Sequence, residues 1–84
     1  MAKYDGLARL LRDLAGPRAQ LTFETISAAV PGGLPQSAYR YAAWWANEAN
    51  GSHVEAYAWM QAGWRVEELD LAGRTVTFVR STSS

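Results

Sequence analysis

Cysteine is absent from the chain and histidine occurs once, at His53. Without thiols there is no disulfide framework, no thiolate zinc site and no Cys-His nucleophile pair. Long hydrophobic runs are also missing. None approaches the roughly 20 residues of a membrane span, and Met1-Ala2-Lys3-Tyr4-Asp5-Gly6 lacks the apolar stretch of a signal peptide, so a cytoplasmic domain is expected. An excess of either charge is lacking too: eight Lys+Arg face eight Asp+Glu. A domain that grips duplex DNA strongly by itself is usually basic. Here residues 1–20 carry +2, residues 21–63 carry −2 and residues 64–84 balance.

What the chain does have is apolar mass. Of its 84 residues 49% are hydrophobic, and four Trp, four Tyr and two Phe supply large side chains. That excludes a disordered chain. A single domain over 1–80 is expected, with residues 81–84 as a loose tail. At this length folding buries only about 60–65% of the chain's surface, so the core must be dense in rings.

Leu7, Leu10, Leu11 and Leu14 form the stripe of an amphipathic helix over about 5–15, capped by Asp5 and stopped at Gly16-Pro17. Residues about 19–22 offer a short strand. Thr22 is a good N-cap for a second, two-turn helix with Leu21 and Ile26 as a hydrophobic staple and Phe23, Ile26 and Val30 inward, ended by Pro31-Gly32-Gly33. Pro35 suits the first position of a third helix running to about Glu48, with Ala38, Tyr41, Ala42 and Trp45 on its core face. Ser52 and Glu55 read as a capping box for a fourth helix over 53–62, with Ala56, Trp59 and Met60 on one face and Gly63 as terminator.

After Gly63 the period becomes that of strands. Trp64-Arg65-Val66 and Thr75-Val76-Thr77-Phe78-Val79 make a hairpin, with Gly73 taking the positive φ of the turn and a bulge at Glu67-Glu68 explaining a slip in apolar phase. The fold class is α+β: four helices and a C-terminal hairpin, with residues 22–47 proportioned as a helix-turn-helix and the hairpin placed as a wing.

Catalysis finds little support. Ser37, His53 and Asp70 make a Ser-His-Asp set on paper, but no spacing, nucleophile elbow or oxyanion motif selects them. No cofactor or metal site is indicated, and the chain is not expected to be an enzyme. The aromatic set carries more information. Neighbouring helical residues lie about 100° apart, so on one straight helix Trp44 and Trp45 cannot both face the core.

The run Leu34-Pro35-Gln36-Ser37-Ala38, Trp44-Trp45-Ala46-Asn47, His53, Ala58-Trp59 and Ala62-Gly63-Trp64 resembles a family of small bacterial winged-helix-like domains of uncharacterised activity, over about residues 20–80. The resemblance implies a winged-helix-like domain with a DNA-binding role and adds no catalytic residue. Together with the helix-turn-helix reading it places Gln36, Ser37, Tyr39, Arg40, Trp44 and Asn47 toward a major groove and Arg74, Lys3 and Arg18 on flanking phosphates, with double-stranded DNA as partner and a homodimer to double the contact. Two alternatives differ in class. One is a protein-interaction module anchored by exposed aromatics, and the other a small-ligand or flipped-base pocket built from Trp44, Asn47 and His53.

Overall fold

A computed structural model describes residues 4–47 and 54–81. The elements are α1 (Asp5–Arg12), β1 (Arg18–Thr22), α2 (Phe23–Ala28), α3 (Gln36–Arg40), a 3-10 turn (Ala42–Trp45), α4 (Val54–Gln61), β2 (Trp64–Asp70) and β3 (Thr75–Arg80). The domain is α+β. Its strands form one antiparallel sheet in the order β1-β3-β2. The proposed capping box, with Ser52 and His53, lies outside the described residues.

Local signals account for most element ends. The Thr22 side chain accepts the Thr25 backbone N–H at 3.1 Å, capping α2. Gly63 takes φ +89°, the left-handed terminator of α4. In β2 the register slips between Val66 and Glu68, so Glu67 is the extra residue and Val66 and Leu69 share the core face. In the β2–β3 turn the left-handed residue is Arg74 (φ +56°) rather than Gly73. Gly73 supports the turn in a different way. Its N–H donates to Asp70 Oδ1 at 2.9 Å, and a Cβ there would lie 2.5 Å from Asp70 Oδ2.

The third helix departs most from expectation. It runs only from Gln36 to Arg40, then Tyr41 turns extended (φ −123°, ψ 121°) and the chain re-enters as the 3-10 turn. Tyr41, expected in the core, is 60% exposed. The break resolves the Trp44-Trp45 conflict, because both indoles can now turn inward and they meet edge to face at 4.7 Å. Burying one indole contributes about 4–6 kcal/mol from its area. Helical propensity across the break is worth only about half a kcal/mol per residue, so packing decides the backbone.

The core is a column of rings from four elements. Phe23 stacks on Trp45 (4.9 Å), Trp45 on Trp59 (5.9 Å), and Trp59 meets the edge of Phe78 (5.7 Å). Leu7 and Leu11 of α1, Ile26, Ala56 and Val76 close around it. Met60, expected on the inner face of α4, is 38% exposed, and the buried face instead includes Glu55, Ala56, Ala58 and Trp59.

Buried polar groups of the rings are satisfied one by one. Trp45 Nε1 donates to Ala38 O and Trp64 Nε1 to Leu11 O, each at 2.9 Å. Arg80 closes the end of α1, donating from its Nη2 to Leu14 O (2.7 Å) and from Nε to Gly16 O (3.1 Å) while its guanidinium lies 4.2 Å over Trp64. Both carbonyls lie just beyond the C-terminus of α1, and among the described residues no other donor reaches them.

Candidate functional site

The turn between β2 and β3 folds back onto α2. Phe23 N–H donates to Arg74 O at 2.9 Å, which holds the turn against the start of that helix. Between them α3 contributes Tyr39, whose ring meets Phe23 edge on at 5.6 Å and lies 5.6 Å beneath the Arg74 guanidinium. The result is an open cleft of about 680 Å³ lined by Thr22, Phe23, Glu24, Ser27, Ala28, Tyr39, Gly73 and Arg74. Phe23, its ring buried in the core, lies beneath the cleft. Arg74 and Glu24 are its two charges, neither in an ion pair among the described residues.

Two of the residues expected to make contact, Tyr39 and Arg74, are therefore brought together from positions 35 residues apart. Gln36, Ser37 and Arg40 lie exposed on α3, and Arg40 makes no ion pair among the described residues. Lys3 and His53 lie outside those residues. Arg18 stands on the other face of the sheet, where it bridges Glu67 (2.6 Å) and Glu68 (3.1 Å) across β3. That charge is matched locally, on an exposed surface where such pairs contribute little stability.

Trp44 and Asn47 both adjoin Trp59. Trp44 is half-buried, 6.1 Å from the Tyr4 ring and 6.3 Å from Trp59. The Asn47 amide makes three hydrogen bonds. Its Nδ2 donates to Val66 O, and its Oδ1 accepts both Val66 N–H and Trp59 Nε1–H, each at 2.9 Å. The side chain thus acts as an extra strand residue against the outer edge of β2.

The Tyr4 hydroxyl resists ionisation. Burial raises its pKa above 10.0, and the nearby Glu55 carboxylate pushes it the same way. Among the described residues no group of three or more His, Cys, Asp or Glu is placed to hold a metal ion. No helix among them is long and apolar enough to cross a membrane.

Glu24 and Phe23 were not legible as site residues. Sequence assigns them to a helix start, and only the docked turn makes them walls of a cleft.

The fold and cleft define a small α+β domain rich in tryptophan. The chain belongs to the family described as domain of unknown function DUF7662, whose model matches residues 4–82. None of the curated proteins matches it, and neither does any solved structure.

Proposed function

We propose that the protein is a non-catalytic interaction module that takes a segment of another polypeptide into the cleft between α2, α3 and the β2–β3 turn. The observation that carries this reading is the Arg74–Tyr39 pair, held in place by the buried Phe23 ring. An aromatic wall with one cation and one carboxylate suits a polypeptide, which brings apolar side chains, peptide dipoles and charges of both signs. It suits a polyanion less well. Zero net charge agrees. Tyr and Arg are also the side chains that dominate protein interfaces, and Tyr41, turned outward beside Arg40, extends the same chemistry past the cleft.

Selection of linear peptides from a displayed library tests this. Peptides bound by the wild type should bind roughly tenfold more weakly to Tyr39→Ala and Arg74→Ala, a loss of about 1.4 kcal/mol. They should bind unchanged to Arg65→Ala, on the far face of the sheet. Ligands indifferent to both cleft substitutions would overturn the proposal.

A second reading, duplex DNA, is favoured by the chain path. Two short helices joined by a Pro-Gly turn, with a hairpin after α4, support a winged helix-turn-helix reading in which Arg74 is on the wing beside α3. It predicts duplex binding that weakens steeply with salt and is reduced by Arg40→Ala. Titration of a labelled duplex at two salt concentrations separates the readings.

A further inference from the structure

The two edges of the sheet are treated differently. On β2 the outward N–H and C=O of Val66 are both occupied by Asn47, and the Glu67 bulge then interrupts the edge. Both devices discourage strand addition.

No comparable guard protects β1. The bonds Arg80 N–H to Pro17 O and Phe23 N–H to Arg74 O fix which residues face β3. In an antiparallel ladder alternate residues point inward and outward, so Pro17, Ala19, Leu21 and Phe23 face β3, and Arg18, Gln20 and Thr22 direct their backbone groups away from it. Among the described residues nothing bonds to the N–H and C=O of Arg18 and Gln20 or to the N–H of Thr22. Arg18, Gln20 and Thr22 are all exposed. The strand Arg18-Ala19-Gln20-Leu21-Thr22 carries no Pro, Lys or bulge of its own.

We infer that β1 is a self-association edge that pairs antiparallel with β1 of a second copy about a two-fold axis at Gln20, joining two sheets into one of six strands. The register is self-complementary. Gln20 meets Gln20 of the second copy and exchanges both backbone bonds, while the Thr22 N–H of each copy meets the Arg18 C=O of the other.

No like charges are set face to face. Arg18 stands opposite Thr22 of the second copy and is already ion-paired with Glu67 and Glu68 of its own chain. On the core side the half-buried Ala19 and Leu21 become cross-strand neighbours of Leu21 and Ala19 of the second copy, and gain cover. The balance of eight cations and eight anions removes long-range repulsion between copies. The charge pattern permits this pairing, and small Ala19 set against larger Leu21 on each side of the axis is what fits a second copy as the occupant. The inference does not rest on the cleft binding peptide: Gln20, the axis residue, does not line it, and of the β1 residues only Thr22, at the end of the strand, does.

Charge exchange at the axis tests it. Sedimentation of the wild type from micromolar to millimolar concentration should show a dimer. Gln20→Glu and Gln20→Lys each place like charges opposite one another and should weaken association by roughly tenfold or more, whereas an equimolar mixture of the two should restore it. Gln20→Pro removes an outward N–H that no internal bond uses, so the monomer stays folded by circular dichroism and the dimer is lost. A wild type monomeric at millimolar concentration would overturn the inference. Single variants that associate undiminished, or a mixture that does not recover, would also do so.

Discussion

Replacing Asn47 by Ala should be among the most damaging single changes at an exposed position. The substitution removes three hydrogen bonds of 2.9 Å at once. Their costs differ. Trp59 is fully buried, so leaving its indole N–H without an acceptor costs about 1–3 kcal/mol. The N–H and C=O of Val66 face outward from the sheet edge, where water can replace the amide, so each costs about 0.5 kcal/mol. The total is about 2–4 kcal/mol, a large share of the 5–15 kcal/mol typical of a domain. The melting temperature should fall by roughly 10–25 °C at this chain length. Urea unfolding followed by far-ultraviolet circular dichroism measures the loss without depending on tryptophan emission.

A control isolates the indole bond. In Trp59→Phe the donor is already gone, so Asn47→Ala should cost about 1–2 kcal/mol less in that background than in the wild type. Asn47→Asp keeps both acceptor roles but loses the donor to Val66 O, and should fall between Ala and wild type. If Asn47→Ala stays within about 0.5 kcal/mol of the wild type, the range of an ordinary surface change, the bridge has no energetic role and the reasoning fails.

Three further outcomes are expected. Gly6→Ala gains about 1 kcal/mol of helix propensity but places a Cβ 2.1 Å from Ala29 O, so chemical denaturation should show a net loss of about 1–3 kcal/mol; a stabilised variant would mean that α1 and α2 do not touch there. Arg80→Leu keeps the apolar bulk and removes the donors to Leu14 O and Gly16 O, so stability should drop by about 1–3 kcal/mol, with faster amide exchange at the end of α1. Tyr4 favours its protonated form more in the folded than in the unfolded chain. Its contribution is therefore complete below about pH 10 and is lost as pH rises from there through the folded-state pKa. Alkaline unfolding should be less steep in Tyr4→Phe, and an unchanged profile would contradict the shift.

Periodicity and capping chemistry by themselves determined the helices at either end of the order and the hairpin, but not the broken third helix or a full third strand in the sheet. The Leu stripe of α1, the Thr22 cap, the Gly63 terminator and the slipped phase of β2 are local facts, each readable within a few residues because the backbone's own bonding and sterics enforce them. The buried places of Trp45 and Trp59 were legible for a similar reason, since a chain this short has few other ways to fill a core. Tertiary packing decided the rest. The third helix breaks at Tyr41 because sheltering two adjacent indoles outweighs one more turn of helix, and nothing local in Tyr-Ala-Ala-Trp-Trp signals that. Asn47 reads in sequence as a helix end or a base reader, but meets Val66 and Trp59 only when β2 and α4 arrive. The cleft likewise exists only because a turn near residue 74 docks on a helix that starts at 23. Bonds between distant residues form or fail according to the whole packing, and no short window of sequence contains that information.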